Sequence, residues 1–306
     1  MTKALRVGTR ASLLALTQTR IVTEQVARVT GREIQEIQIS TEGDQTVGSL
    51  MNPKRPGVFV SALRDALLAG DVDFIVHSFK DLPSAADPRI ALAAVPVRED
   101  FSDVLVSRDG LTLAQLPAGA VVGTSSPRRE ARVRHLRPDV VVKPMRGNVD
   151  TRLRKIQEGE FDAAVLAAAG LSRLGLIDQA SEYMSLDQII PAPAQGALAI
   201  ECLAENVELV EQLGQLTHFE TRITTAAERA VLAGVAASCT TAIGAHAIYF
   251  ERELELVAEI SHPTQDRHER VALGARALTV EDALTLGLQV AKLLLATELG
   301  QEILDA

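Results

Sequence analysis

The strongest constraint in this sequence is an alternation of short apolar runs with segments of helical period, present in two separate stretches. Residues 4–9 read as a strand. Ser12 can cap a helix that runs to about Thr30 and stops at Gly31, a residue free to take the left-handed conformation that ends helices. Residues 34–41 alternate apolar and polar side chains, as a half-buried strand does. Residues 58–68 form an amphipathic helix ended by Gly70, and residues 74–77 a buried strand. The pattern restarts at residues 120–123. Pro127 suits the first turn of a helix to about Leu136, residues 140–143 form a strand, Asn148 can cap a helix to Gly159, and residues 161–167 form another buried strand. Such alternation implies mostly parallel sheets covered by helices, and two such units imply two lobes with a ligand cleft between them.

Residues 42–57 are rich in Gly, Pro, Asn and Asp and show no period, so a long loop and a mobile lid are expected there. Residues 191–196 read as a connection between lobes and residues 197–202 as a strand. From Phe219 the texture changes. An Ala- and Thr-rich helix runs to about Val235, a loop carries Cys239, and three alternating runs follow near 243–250, 254–260 and 270–277. A last helix begins at Thr279, with Asp282 placed to complete its cap. The expected domains are 1–98 with about 194–217, then 99–193, then a small α+β domain at 218–306.

The 306 residues suffice for two or three cores, and 47% hydrophobic with 23% charged residues is ordinary for a globular protein. No apolar run reaches membrane-spanning length, and the amino terminus has no leader pattern, so a cytosolic protein is expected. A net charge of −9 argues against non-specific nucleic-acid binding. The charge is uneven. From Arg128 to Lys155, ten basic residues against three acidic ones leave the segment at +7. That suits an anionic ligand of limited size. A solvated helix face is the competing reading.

Two cysteines give neither a disulfide framework nor zinc-ligand spacing. Cys202 ends an apolar strand and reads as a buried structural thiol. Cys239 sits in a small-residue loop and is a candidate nucleophile or attachment point, with an inert loop thiol equally open. His77-Ser78-Phe79-Lys80-Asp81 follows the carboxyl end of a buried strand, where α/β sheets place functional groups. Asp81 can act as acid, base or counter-charge, or be merely a surface turn residue; His77 reads as a packed histidine. Three turns combine a helix start with arginines: Gly8-Thr9-Arg10-Ala11-Ser12, Gly123-Thr124-Ser125-Ser126-Pro127-Arg128-Arg129 and Arg146-Gly147-Asn148-Val149-Asp150-Thr151-Arg152. Backbone N–H groups and guanidinium forks in this arrangement bind carboxylates or phosphates. None matches the P-loop pattern.

These segments resemble the porphobilinogen deaminase family. The matching stretches are the three turns together with Val76 to Pro83, Ala169 to Gly175, Pro193 to Ala197, Ala227-Glu228-Arg229, and Cys239 followed by Gly244. The resemblance implies two periplasmic-binding-protein-like α/β lobes plus a small C-terminal α+β domain. It implies a dipyrromethane cofactor held by a thioether to Cys239, and stepwise addition of four porphobilinogen molecules with loss of ammonia. Water then releases hydroxymethylbilane. It implies Asp81 as the catalytic group. Lys80, Ser126, Arg128 and Arg129 would hold the cofactor, and Arg10, Ser12, Arg146, Arg152 and Arg173 the substrate or growing chain. A monomer without metal, nucleic acid or membrane partner is expected. A carboxylate suits a reaction whose pyrrole species become cationic, and the arginine-rich segment suits a product carrying an acetate and a propionate on every ring. The rival reading is a two-lobed anion receptor without catalysis, which would leave Asp81 and Cys239 without a task.

Overall fold

A computed structural model describes residues 3–39, 58–235, 242–262 and 265–304. The expected lid at 42–57 and Cys239 lie outside them. The chain forms two compact units: Met1–Arg98 with Ala197–Arg222, and Glu99–Gly196 with Ile223–Ala306.

In the first unit β1 (Leu5–Thr9), α1 (Leu13–Thr30), β2 (Ile34–Gln38), α2 (Val58–Leu68) and β3 (Phe74–Ser78) follow in order. β4 (Ile90–Ala94), β10 (Leu198–Leu203) and α6 (Val207–Gly214) complete it. Ser12 caps α1 by accepting from Ala15 N, and Gly31 ends it at φ 63°. The sheet order is β2-β1-β3-β10-β4. β1 runs parallel to β2 and β3, whereas β10 is antiparallel to β3 and β4. The expected mostly parallel sheet is therefore mixed, because the chain re-enters this unit at Ala197 from the opposite end. Leu5, Val7, Phe74, Ile200 and Cys202 pack on one face, and Leu63, Leu67 and Ile75 on the other.

The second unit repeats the design. β5 (Asp103–Ser107), β6 (Val121–Gly123), α3 (Pro127–Leu136), β7 (Val141–Lys143), α4 (Val149–Gln157), β8 (Ala163–Ala167), α5 (Ala168–Arg173) and β9 (Glu182–Tyr183) build a sheet of order β7-β6-β8-β5-β9. β6 is parallel to β7 and β8, and β5 is antiparallel to β8. Asn148 stands at the N-cap of α4, but its side chain makes no capping bond. The same unit contains α7 (Phe219–Gly234, from Ile223 on), the antiparallel sheet β11 (Ala242–Phe250), β12 (Glu253–Ser261) and β13 (His268–Arg276), then α8 (Val280–Leu295) and α9 (Glu298–Leu304). Thr279 and Asp282 form the expected reciprocal cap of α8. Val231, Leu256, Ile260, Leu286 and Val290 close the core between this sheet and its helices.

Candidate functional site

Each unit gathers its candidate residues at the carboxyl ends of its parallel strands, the edge where sheets of this type expose backbone and turns. In the first unit Arg10 and Ser12 follow β1, and Lys80 and Asp81 follow the adjacent parallel strand β3. The turn Phe79–Asp81 is a single 3-10 turn. Its position is set by apolar anchors: Phe79 and Leu82 are buried, the Phe79 N–H donates to Ala197 O at 2.9 Å, and the Leu82 N–H donates to Phe79 O at 3.2 Å. Lys80 is left half-buried and Asp81 exposed. Gln18 of α1 holds Ser78, at the end of β3, through side-chain bonds of 3.0 and 3.2 Å.

His77 is buried, as its place in an apolar strand suggested. Its Nε2 lies 3.3 Å from Glu201 Oε2, within ion-pair range but outside hydrogen-bond geometry. Arg64 of α2 grips the same carboxylate with Nε at 2.9 Å and Nη2 at 2.6 Å. Burial pushes the Glu201 carboxyl up, but His77 and Arg64 outweigh it and hold the pKa below the ordinary value. Cys202, fully buried beside them in sequence, has its thiol pushed up to about 11 by burial, which marks an inert structural cysteine.

In the second unit three loops converge. Ser126 follows β6 and caps α3, its Oγ accepting from Arg129 N at 3.5 Å. The next two side chains turn inward. Arg128 and Arg129 are buried, and so is Arg132, against the reading of this helix as a solvated cationic face. That reading holds for Arg134, which is exposed and pairs with Glu130 at 2.8 Å. The partner of the buried pair is Asp103, the first residue of β5, which sequence reasoning did not single out. Asp103 Oδ2 accepts from Arg128 Nη1 at 2.6 Å, and Oδ1 accepts from Arg129 Nε at 2.9 Å, Arg129 Nη2 at 2.7 Å and Gln195 Nε2 at 3.0 Å. Burial pushes the Asp103 carboxyl up, but the two guanidinium charges prevail and hold it well below the usual carboxylate range.

The segment 190–196 supplies further acceptors. Ile190 O accepts from Arg128 Nη1 at 2.7 Å, Gln195 Oε1 from Arg129 Nη2 at 3.4 Å, and Gly196 O from Arg173 Nη2 at 2.6 Å. Arg129 Nη1 also donates to Val165 O at 2.9 Å. Of its five N–H groups these bonds leave one, so Arg129 offers a bound anion its charge more than its donors.

Arg146 follows β7 and is exposed; Arg152 lies one turn into α4, its Nε donating to Gly147 O at 2.8 Å. Among the described residues neither has a carboxylate within ion-pair range, and the same is true of Arg173 at the end of α5. Burial lowers the pKa of Arg129, Arg152 and Arg173, that of Arg173 to about 10; the like charge of Arg129 adds to the effect on Arg152, and Glu99 opposes it on Arg173. Among the described residues Arg152 and Arg173 have no carboxylate in ion-pair range, and Arg128 and Arg129 share the single charge of Asp103, an arrangement that costs stability unless an anion is bound. It fits a ligand carrying several carboxylates, as a dipyrromethane does. Among the described residues no cluster of His, Cys, Asp or Glu could hold a metal ion, and no helix is long and apolar enough to cross a membrane.

Comparison with known proteins gives the same direction. Residues 5–211 match the family model described as porphobilinogen deaminase, dipyromethane cofactor binding domain, and residues 222–296 match the porphobilinogen deaminase C-terminal domain. The chain is 48% identical over 241 residues to the porphobilinogen deaminase of Mycobacteroides abscessus, covering 79% of this chain and 78% of that one. It is 49% identical over 247 residues to porphobilinogen deaminase 1 of Streptomyces coelicolor, covering 79% and 77%. Solved structures similar to it include a Salmonella typhimurium periplasmic binding protein of high arginine specificity, at 14% identity and TM-score 0.42 over 70% of this chain and 92% of that one. The methionine binding protein MetQ is another, at 12% identity and TM-score 0.46 over 70% and 89%. With both family models matched in order along one polypeptide and close to half of the aligned residues shared with its relatives, the chain belongs to the porphobilinogen deaminase family.

Proposed function

We propose that this chain is a hydroxymethylbilane synthase, a transferase that couples four porphobilinogen molecules head to tail with loss of ammonia. When bound, the dipyrromethane supplies the primer that is extended, and Cys239 would carry it through a thioether. The observation that carries this reading is an arginine set in excess of its anions: among the described residues Arg128 and Arg129 share the one carboxylate of Asp103, and Arg146, Arg152 and Arg173 have none in ion-pair range. A receptor for one small anion would need fewer of them, whereas each pyrrole brings two carboxylates.

The residues divide the work by what their atoms still have to offer. Lys80, Ser126, Arg128 and Arg129 would hold the cofactor. Ser126 Oγ accepts from the backbone and keeps its own proton to donate. Arg128 uses Nη1 on Asp103 and Ile190, which leaves its other nitrogens. Arg10, Ser12, Arg146, Arg152 and Arg173 would hold incoming substrate or the growing chain, with Arg146 and Arg152 able to fork onto carboxylates. Asp81, held on a rigid turn and open to solvent, would face pyrrole N–H groups. Its carboxylate steadies positive charge as ammonia leaves and accepts the proton released when the new carbon–carbon bond forms.

Porphobilinogen given to the purified protein should yield hydroxymethylbilane, with one ammonia released for each unit consumed. Release of ammonia without a tetrapyrrole product, or no reaction, would remove this assignment.

A further inference from the structure

The segment whose carbonyls and amide fix Arg128, Arg129 and Arg173 is itself gripped from its other side. Glu228 lies on the apolar face of α7 and is fully buried. Its Oε2 accepts from Ala194 N–H at 2.6 Å, and its Oε1 accepts from Ala247 N–H on β11 at 2.9 Å. Ala194 has φ 63°, a left-handed conformation that is strained for a residue with a Cβ and persists only where its surroundings impose it. The next two residues are Gln195 and Gly196, the acceptors for Arg129 and Arg173. Gly196 is held at φ 89°, and a Cβ there would collide with the Glu99 carbonyl oxygen.

β11 reinforces the contact. Ala245 N–H donates to Pro191 O at 3.0 Å, and a Cβ on Gly244 would stand 2.5 Å from Ile190 O, the carbonyl that accepts from Arg128. His246 Nδ1 sits 3.5 Å from Glu228 Oε1, and its ring stacks on Phe101 with centroids 3.8 Å apart. Phe101 O in turn accepts from Gln195 Nε2 at 2.8 Å. A buried carboxylate is costly unless its oxygens are bonded. Here both oxygens are spent on backbone amides, one on each side of a seam between β11 and the arginine-bearing segment.

We propose that Glu228 is a positioning residue for the arginine cluster. It pins Ala194 in the left-handed conformation and so sets the two acceptors that aim Arg129 and Arg173 at the anionic ligand. It acts through the segment, not on the ligand. It also ties that cluster to β11, the strand that begins at Ala242, shortly after Cys239. What the arginines bind rests on the reading under Proposed function; that Glu228 orients them does not.

The test is Glu228→Gln in the full-length protein, which turns one accepting oxygen into an amide that cannot accept. In ligand-free protein, NMR should show exchange of the Ala194 or Ala247 amide and of Gln195 at least tenfold faster, with β12 amides unchanged. With porphobilinogen as the probe, KM should rise about tenfold with kcat within twofold. In the double variant with Arg173→Lys the two KM effects should be less than multiplicative, because Arg173 is one of the two guanidinium groups that Glu228 orients. Leu256→Ala, which loosens the same core, should lower Tm and leave KM unchanged. Should Glu228→Gln not fold, Glu228→Asp keeps the charge, cannot reach both amides, and takes the same measurements. Unaltered exchange at Ala194 and Ala247, multiplicative effects with Arg173→Lys, or an equal KM rise in Leu256→Ala would overturn the proposal. A wild-type protein inert toward porphobilinogen would defeat the assigned reaction instead, and the exchange measurement would still decide the role of Glu228.

Discussion

Asp103 and Arg129 are joined by a forked contact inside the arginine-rich unit: one carboxylate oxygen accepts from Nε at 2.9 Å and from Nη2 at 2.7 Å, with both side chains buried. The other oxygen holds Arg128 at 2.6 Å. One internal anion thus orients two cations and leaves them a net positive charge. Asp103→Ala strands both guanidinium groups and should cost about 3–5 kcal/mol of stability, read by chemical denaturation. The Asp103 pKa is lower folded than unfolded, so its contribution is complete above the ordinary aspartate value, about pH 4, and is lost as pH falls below it. Asp103→Asn should flatten that acid limb. An unchanged limb would mean the carboxyl is not ionised in the folded protein.

The first unit contains a parallel case with no proposed catalytic task. Glu201 is held below its ordinary pKa by His77 and Arg64 against the opposing effect of burial. Its stabilisation should likewise fade as pH falls below about 4.3. Arg64→Ala should lower Tm, while kcat per folded molecule stays within about twofold. A large fall in kcat at constant folded fraction would place this cluster in the reaction.

Arg152 behaves oppositely to a structural arginine. Its guanidinium is desolvated, faces the like charge of Arg129, and has a backbone carbonyl as its hydrogen-bond partner. Arg152→Leu should therefore leave Tm equal or higher. Losing a charge-assisted bond of about 1.5–3 kcal/mol should raise KM for porphobilinogen about tenfold to a hundredfold. A lowered Tm with normal KM would assign it to the fold.

Asp81 is exposed on a turn fixed by Phe79 and Leu82. Asp81→Ala should thus change stability by no more than about 0.5 kcal/mol. Turnover should fall about 10²- to 10⁴-fold, the range for losing a positioned acid–base group. Near-normal turnover would leave the cationic steps without their proposed carboxylate.

Local chemistry made much of this legible. Ser12, Gly31, Pro127 and the Thr279–Asp282 pair mark helix ends because their side chains or backbone freedom act within a few residues. The three alternating runs after Cys239 became β11, β12 and β13 because period two is a local signal. Asp103 and Glu201 were not singled out, and Glu228 was read only as part of a family-like stretch, for the converse reason. Each is an acid in an apolar element, and each partner lies elsewhere in sequence: Asp103 and Arg129 are 26 residues apart, Arg64 and Glu201 137. The available clue was the charge itself, since a carboxylate at a core position requires a partner. β4 and β5 were missed because short runs between proline and acidic residues carry little period. The sheets came out mixed because strand direction depends on where the chain re-enters, which no local pattern encodes.

The central claim is that an acidic oligopyrrole is carried on Cys239 and cradled by these arginines. Intact mass spectrometry of the native protein beside Cys239→Ser tests it most directly. The native chain should exceed its sequence mass by two porphobilinogen units less two ammonia, and the variant should match its sequence mass and form no hydroxymethylbilane. A native mass equal to the sequence in a protein that turns over porphobilinogen, or a fully active Cys239→Ser, would contradict the account.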